Sequence, residues 1–501
     1  MEIQPIFEKI NYNVESATHV CQIKTESKTE ILCEDLSEVL SVNGWAVIND
    51  YSAQNGKIDY SGKVNYYISY VDKDGNVKKA ECGNEFSGEM KITQTDCEIY
   101  AHLTAVPEKV FFDASGAFLS VGAFLSVKAL LTCKKVFPAL SGGENLIVNK
   151  KEIPFYKSLG VKSVVYPIDE EFELDYSVEE VLSHRADAIV TAVGCGVGTI
   201  IVDGEVSLSL IMLQKNQKRD IIKETKTLPY KMEIECDDAM PNLQAVARVV
   251  ERSLKTDVFV DQEKDKSIIS VSISLKFFGE AFLPTELTIA TDAFSTEREI
   301  SIEREEVPYL KTCELKLASA TITGKSQVSE LPIGCALYAV GNERVEIANK
   351  ECVDGRLKIT GVLTATAYFK ADEQFFTRKV ETSFEQLIDL NFACDTSLDV
   401  VVKPQRTRGR ILTLEEIEVE SSLAFNVYPT ECQKVQLVKG VKELGERKKK
   451  NCALSIYIAT EGEELWSLAK RLGVCPETLV ETNKDLCFPL SGEERIVVFN
   501  R

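Results

Sequence analysis

The chain contains the stretch Gly56-Lys-Ile58-Asp-Tyr60-Ser-Gly62-Lys-Val64, and its pattern of two glycines six positions apart with an aliphatic residue between them decides the fold. The same pattern returns twice, as Gly198-Thr-Ile200-Ile-Val202-Asp-Gly204 and Gly355-Arg-Leu357-Lys-Ile359-Thr-Gly361. The first glycines lie 142 and then 157 positions apart. Such spacing has the size of a domain, so we expect three copies of one domain, each with its own core.

Each copy alternates apolar and polar residues, which is the period of a strand with one buried face. In the first copy Ile58, Tyr60 and Val64 alternate with polar residues, and Asp72-Lys-Asp-Gly75 then predicts a hairpin turn. The second glycine of each copy indicates a bulge or a close approach between backbones. Many short strands separated by turns favour a mainly β fold, with three repeated antiparallel β-sandwich-like domains.

The predicted β-domains cover residues 1–148, 149–302 and 303–432. A short helix is expected over Ser177 to His184, because Ser177 can cap it and two acidic residues follow in the first turn. Residues 433–452 carry a short basic run of Lys442, Arg447, Lys448, Lys449 and Lys450, and we interpret this segment as a solvated linker. An electrostatic docking strip for an acidic surface is the alternative.

The last 49 residues, 453–501, predict a small module of strand, helix, helix and strand. Leu465, Leu468, Ala469 and Leu472 recur at the spacing of an amphipathic helix, which Gly473 ends. Pro476 suits the first turn of a second helix, over Pro476 to Thr482. An apolar run at 496–498 predicts the closing strand.

This module resembles the LysM family over its whole length. The matching positions are Tyr457, Gly462, Leu465, Trp466, Ser467, Leu468, Ala469, Gly473, Val474, Leu479, Asn483, Gly492 and Ile496. LysM domains bind N-acetylglucosamine chains in a shallow groove between two loops. The resemblance implies a groove lined by Gly462, Glu463, Glu464 and Leu465 on one side and by Cys487, Phe488, Pro489 and Leu490 on the other.

Four residues of the module have alternative interpretations. Glu463 and Glu464 replace the usual Asp-Thr pair of LysM domains, and two carboxylates suit a basic protein surface at least as well as a sugar. Trp466 is a candidate sugar platform, but its helical position favours the core. We expect Asn483 to be a structural cap and not a ligand contact.

Three such β-domains followed by one LysM module resemble the SipL-like family of clostridial spore coat morphogenetic proteins, whose repeats are called SPOCS domains. The resemblance implies a protein of the mother-cell cytoplasm at the forespore surface. It also implies a partner, the coat ATPase called stage IV sporulation protein A, contacted through the LysM module. Peptidoglycan or its precursor is the alternative partner.

Composition excludes other classes. The formal net charge of −20 disfavours nucleic acid as a partner. The 15 cysteines show no C-x-x-C pair, so reduced thiols in a cytosol are expected. The first ten residues do not resemble a signal peptide, and no apolar stretch has the length of a membrane span.

No catalytic constellation is apparent, so we predict a chain that is not an enzyme and needs no cofactor or metal. His19, His102 and His184 lack metal-ligand spacing and are expected to be surface residues or hydrogen-bonded fillers. The stretch at 194–198 resembles a phosphate loop loosely, but no helix is expected after it. A glycan-binding protein and, more remotely, a cell-wall hydrolase remain the alternatives to a scaffold.

Overall fold

The computed structural model of the chain describes residues 2–54, 56–92, 98–261, 266–310, 315–371, 374–390, 394, 398–428, 432–448 and 452–499. Its mainly β architecture confirms the predicted fold class, with three repeats of paired antiparallel sheets before a small module containing two helices. We refer to the repeats as unit 1 (residues 4–144), unit 2 (147–294) and unit 3 (298–446).

Unit 1 packs two three-stranded antiparallel sheets face to face. Its strands are β1 Gln4–Leu32, β2 Leu36–Gln54, β3 Lys57–Asp72, β4 Val77–Lys91, β5 Glu98–Asp113 and β6 Phe118–Glu144. One sheet has the order β1-β6-β5 and the other β2-β3-β4. Alternate residues of β3 and β6 fill the space between the sheets, among them Ile58, Val64, Leu125 and Leu131.

Unit 2 repeats this arrangement. Its strands are β7 Ile147–Leu174, β8 Val178–Cys195, β9 Thr199–Gln214, β10 Ile221–Glu235, β11 Gln244–Asp261 and β12 Lys266–Phe294. The sheets have the orders β11-β12-β7 and β10-β9-β8. As predicted for a repeated domain, this unit has its own core, which joins residues such as Ile200 and Val206 to Ile273 and Phe277.

Unit 3 has an equivalent pair of three-stranded sheets and, besides them, a two-stranded ribbon. The strands are β13 Arg298–Leu310, β14 Lys316–Gln327, β15 Ala336–Val353, β16 Arg356–Ala371, β17 Gln374–Ile388, β18 Asp399–Thr413, β19 Glu416–Tyr428 and β20 Cys432–Glu446. The sheets have the orders β14-β19-β18 and β15-β16-β17, and β13 pairs with β20 as a two-stranded ribbon. Leu363 and Phe425 lie in its core.

The repeated glycines occupy equivalent positions in all three units. Gly56, Gly198 and Gly355 lie in the hairpin turns with φ of +82°, +75° and +77°, a region that side chains other than glycine rarely adopt. The second glycines, Gly62 and its equivalents, lie inside continuous strands where an added Cβ would overlap a carbonyl oxygen and an aromatic ring. The predicted close approach is therefore confirmed, and the glycine does not end the strand.

The predicted bulge is present, but on the neighbouring strand. The register shifts between Ile48 and Asp50, opposite the Gly62 region, and equivalent shifts follow Val190 in unit 2 and Ile347 in unit 3. A bulge opposite a close-packed glycine bends both strands together. This combination of a close-packed glycine and an opposite bulge recurs in each unit and accounts for the repeated sequence pattern.

The three units share two further apolar clusters. In the first, Leu40 of unit 1 meets Leu182 and Ile211 of unit 2 and Ala339 and Tyr368 of unit 3. The second lies where the paired ends of β1 and β6, β7 and β12, and β13 and β20 come together. We call this region the ribbon bundle; its apolar residues include Phe137, Ile153, Ile289, Val307 and Leu437.

Residues 433–452 were predicted to be a linker, and this was wrong for most of the segment. Strand β20 pairs with β13 from Arg298↔Glu446 to Leu310↔Cys432, and Leu437 and Val438 are buried in the ribbon bundle. Its partner residues in β13 lie 122 to 148 positions earlier in the chain, so the pairing leaves no local signal in the sequence. Lys449 and Lys450 of the basic run lie outside the described residues.

The domain boundaries placed at 148, 302 and 432 fall inside β7, inside β13 and at the start of β20. The helix predicted over Ser177 to His184 was also wrong, because these residues begin strand β8. Two bulges, after Val178 and Val181, shift its alternation, so that the buried Val178, Val181 and Leu182 acquire helical spacing.

One cysteine pair departs from the expectation of reduced thiols. Cys352 and Cys394 form a disulfide with their Cα atoms 5.9 Å apart. The two residues are 42 positions apart and belong to no recognisable motif, so their sequence spacing could not indicate the pair.

The C-terminal module has the predicted order of strand, helix, helix and strand. Its elements are β21 Leu454–Ala459, α1 Leu465–Leu472, α2 Pro476–Thr482 and β22 Glu494–Phe499. Gly473 ends α1 in the left-handed conformation, and Pro476 opens α2, both as expected. Strands β21 and β22 pair antiparallel, from Leu454↔Phe499 to Ala459↔Glu494.

Candidate functional site

The two loops of the predicted groove lie side by side in the module. The Gly462 amide donates a hydrogen bond to the Leu490 carbonyl at 2.8 Å, and the Leu490 amide donates to the Glu463 carbonyl at 3.1 Å. Gly462 has a φ of +79°, which lets the first loop turn towards the second. These two hydrogen bonds hold the first loop against the second.

The two acidic residues of the first loop have different surroundings. The Glu463 carboxylate accepts a hydrogen bond from the Thr460 amide at 3.1 Å and forms an ion pair with Arg471 at 2.9 Å. Glu464 is exposed and immediately precedes α1. Glu463 thus helps to hold the loop, whereas Glu464 presents its charge to solvent. Leu465 is half-buried against the module core.

Trp466 faces unit 2 and not the groove. Its indole N–H donates to the Asp292 carboxylate at 2.8 Å, and its ring lies edge-on to Phe294 with centroids 5.2 Å apart. Lys470 also contacts Asp292, at 2.7 Å. The sugar-platform alternative for Trp466 has no support in this geometry, because the ring is part of a contact between the module and unit 2.

The second loop mixes structural and exposed residues. Asn483 is buried, donates to the Leu479 and Val497 carbonyls at 2.9 Å and accepts from the Val497 amide at 2.8 Å. These bonds agree with its predicted structural role. Leu490 is buried and Phe488 is half-buried in the module core, whereas Cys487 and Pro489 are exposed at the groove.

Arg447 forms hydrogen bonds both with the module and with the segment that directly follows unit 2. Its guanidinium donates to the Ser295 carbonyl at 3.1 Å and to the carbonyls of Lys470 and Arg471 at 3.0 and 3.1 Å. The last carbonyls of a helix lack partners within the helix, so a cation stabilises that end. Sequence reasoning missed the roles of Arg447, Asp292 and Phe294, since they depend on contacts that cross between distant parts of the chain.

The module also carries an exposed apolar surface. Leu454, Ile456 and Ile458 of β21 and Phe499 of β22 have exposed fractions of 45%, 60%, 69% and 58%. Leu454 lies opposite Phe499 in the pairing, and the three residues of β21 alternate with residues that face the module core. We call these four residues the outer apolar face. The sequence pattern could have indicated it, because Leu454, Ile456 and Ile458 share one face of the strand while Tyr457 and Ala459 on the other face fill the core.

A second notable region lies where the three units meet. The buried Asp399 carboxylate of unit 3 forms ion pairs with Lys128 of unit 1 and, at 3.5 Å, with Arg248 of unit 2. Asp399 is therefore bound by a cation from each of the other two units. Burial raises the pKa of this carboxyl, but Arg248 and Lys128 outweigh burial and hold its pKa below the usual value.

A neighbouring ion-pair cluster joins units 2 and 3. Lys403 of unit 3 contacts Glu251 at 2.8 Å and Asp187 at 3.6 Å, and Arg185 contacts Asp187 at 2.5 Å. Sequence reasoning missed this cluster, because the members lie in strands of separate repeats and follow no motif.

His102 and His184 also line this junction. Their expected roles as surface residues or hydrogen-bonded fillers were only partly right, since His184 Nδ1 lies 2.7 Å from Thr256 Oγ1. Nδ1 of His102 and Nε2 of His184 are buried and have no hydrogen-bond partner among the described residues. Burial lowers the pKa of His102 to about 3 and that of His184 to about 4.

Within the part of the chain that the structure describes, no group of three or more His, Cys, Asp or Glu residues is arranged to hold a metal ion. No helix in those same ranges has the length and apolar character needed to cross a membrane.

Comparison with known proteins gives no match: no family model, no curated protein and no solved structure is significantly similar to this chain.

Proposed function

We propose that this chain is a non-enzymatic adaptor in spore coat assembly, which holds a protein partner through its C-terminal module. The partner that the resemblance implies is a coat morphogenetic ATPase like stage IV sporulation protein A. The proposed place of action is the mother-cell cytoplasm, at the forespore surface. The order of three repeats followed by a LysM-like module supports this proposal.

The outer apolar face is the observation that supports a protein as the partner. Contiguous exposed apolar side chains are typical of surfaces that bind other macromolecules. A peptide strand or an apolar protein surface covers such a face, whereas a sugar chain needs polar groups and aromatic platforms. Ile456 and Ile458 lie at its centre and are its most exposed residues.

The groove supports a glycan ligand less well. Glu463 is already paired with Arg471, and Trp466 is already bonded to Asp292. Glu464, Cys487 and Pro489 remain as exposed groups at the groove. A glycan would therefore meet one carboxylate and few other polar side chains, so peptidoglycan or its precursor is the second candidate.

Recovery of the candidate ATPase by the full-length chain tests the proposal. The double variant Ile456→Asp/Ile458→Asp places two charges on the outer apolar face without changing a buried residue. We expect recovery to fall at least about tenfold, a loss of about 1.4 kcal/mol or more of binding free energy. The control Ile333→Asp changes an apolar residue with an exposed fraction of 88% in unit 3 and should leave recovery unchanged.

Equal recovery by the wild type and the double variant rejects the outer apolar face as the contact. Sedimentation with purified cell wall then examines the glycan alternative. Saturable binding that is lost in Glu464→Ala, but kept in Ile456→Asp/Ile458→Asp, assigns the module to glycan and contradicts the adaptor proposal.

A further inference from the structure

A cavity of about 410 Å³ lies at the junction of the three units. Its walls come from β2, β3, β5 and β6 of unit 1, from β8 and β11 of unit 2, and from β15, β18 and β19 of unit 3. A volume of this size holds about a dozen water molecules or a small organic molecule. Its position means that a ligand bound there would touch all three units.

The walls carry more cations than carboxylates. The cations are Lys128, Arg185, Arg248, Arg344 and Lys403. The carboxylates are Asp187, Glu251, Glu343 and Asp399. The chain as a whole has a formal net charge of −20, so the sign of the charge in this cavity is opposite to that of the molecule.

The carboxylates of the cavity already have cationic partners. Asp187, Glu251 and Asp399 belong to the ion pairs described above. Glu343 pairs at 2.7 Å with Lys223, a cation of unit 2 that does not line the cavity. Lys223 therefore neutralises Glu343 from outside the cavity. Only three of the four carboxylates then balance the five cations that line the cavity.

Arg344 lines the cavity and is in contact with no carboxylate of the described residues. Its guanidinium donates to the backbone carbonyl of Glu108, and no carboxylate of the described residues lies within 4.0 Å of it. Burial, with the nearby Arg185, lowers the pKa of Arg344 to about 10. Glu108 and Glu346 act on Arg344 only from a distance, and a partly buried cation with no carboxylate in contact is a favourable position for an anion.

The two histidines add neutral polar groups to the same wall. Nδ1 of His102 and Nε2 of His184 have no partner among the described residues, and such buried atoms normally have one. A neutral imidazole donates one hydrogen bond and accepts one. An anionic oxygen would accept a hydrogen bond from an imidazole N–H and favour its protonated form.

We propose that this cavity binds a small oxyanion, with Arg344 as its charge partner and His102 and His184 as hydrogen-bonding groups. The shared chemistry is a group with two or more anionic oxygens, as in inorganic phosphate or a small polycarboxylate. Bound between the three units, the anion supplies the missing negative charge and stabilises their assembly.

Thermal stability of the full-length chain, measured with increasing phosphate or citrate at constant ionic strength, tests the proposal. The melting temperature should rise saturably with at least one of the two, and the comparison distinguishes a phosphate from a carboxylate ligand. Sodium chloride at matched ionic strength controls for screening.

Arg344→Gln keeps the size of the side chain and should weaken binding at least about tenfold. Arg410→Gln removes an exposed arginine outside the cavity and should bind like the wild type.

A measurement on the unmodified chain covers the case in which Arg344→Gln fails to fold. The chain has three histidines, so their imidazole nitrogen resonances can be followed individually by NMR. The anion should shift the resonances of His102 and His184 and leave those of His19, which does not line the cavity. Absence of saturable stabilisation by both anions, equal binding by Arg344→Gln, or equal shifts of all three histidines would overturn the proposal.

Discussion

At the residue scale, the second glycine of each repeat is under the tightest constraint. In unit 2 the Tyr230 hydroxyl donates to the Ile189 carbonyl at 2.7 Å, and an added Cβ at Gly204 would overlap both groups. Phe86 and Phe384 occupy the place of Tyr230 in the other units. The glycine therefore makes room for an aromatic ring of the adjacent strand.

Gly204→Ala should lower the free energy of unfolding by about 1–3 kcal/mol, because the backbone carbonyl of Ile189 cannot move away cheaply. The matched control is Gly194→Ala in strand β8, where an added Cβ has no neighbour within 4 Å. Chemical denaturation followed by circular dichroism measures both variants. Equal stability of the two would contradict the close-packing interpretation.

Trp466 is the residue whose role the sequence left most open. Trp466→Phe keeps the aromatic contact with Phe294 but removes the N–H donor to Asp292. We expect the docking of the module to weaken by about 1–3 kcal/mol, the typical cost of leaving a partly buried charge with one hydrogen bond fewer. Hydrogen exchange of α1 should accelerate accordingly, whereas Ser467→Ala, an exposed change on the same helix, should leave it unaltered.

The same contact predicts a pH dependence. Burial raises the pKa of Asp292, but its bonds to Lys470 and Trp466 outweigh burial, so the pKa lies below the ordinary value. A depressed carboxyl pKa contributes stability above the unfolded pKa of about 4, and that contribution is lost as the pH falls through the lower folded value. The protection of α1 against exchange, taken relative to the intrinsic exchange rate at each pH, should therefore fall below about pH 4, and Asp292→Asn should remove this dependence. An unchanged acid response in the variant would contradict the assignment.

At the scale of elements, the sequence allowed a good prediction where the pattern was local. The alternation around Gly56 and Gly62, the apolar stripe of α1 and the helix boundaries at Gly473 and Pro476 all depend on neighbouring residues. Predictions from local patterns were wrong where a strand contains bulges or pairs with a strand far away in the sequence. The bulges of β8 imitated helical spacing, and β20 resembled a linker because its partner β13 lies in a separate part of the sequence.

The groove of the module shows the same limit. Its loops could be placed from the LysM pattern, and the structure brings Gly462 and Glu463 next to Leu490. The contact of Trp466 with Asp292 joins residues 174 positions apart, so nothing near either residue indicates it.

Strand β20 offers a direct test at this scale. Val438→Ala leaves a cavity in the ribbon bundle, where Val438 is fully buried, and should destabilise the chain by about 2 kcal/mol. Lys434→Ala on the same strand removes an exposed ion pair with Glu306 and should have little effect. If residues 432–446 were a solvated linker, both variants would melt like the wild type.

At the scale of the whole molecule, the three units share an interior. Two apolar clusters draw on all of them, and Asp399 receives a cation from each of the other two units. A repeat with a complete core of its own has no need of such contacts. The extra burial therefore fixes the units in one arrangement and places the module at the end of the ribbon bundle, against Phe294.

Calorimetry of the full-length chain and of Asp399→Asn tests this central claim most directly. The shared interior predicts that the three units unfold in one transition, which Asp399→Asn moves several degrees lower because Lys128 and Arg248 lose the charge between them. The control Asp203→Asn, at an exposed ion pair with Lys231, should leave the transition in place. Three independent transitions in the wild type, with Asp399→Asn affecting one of them alone, would contradict the account.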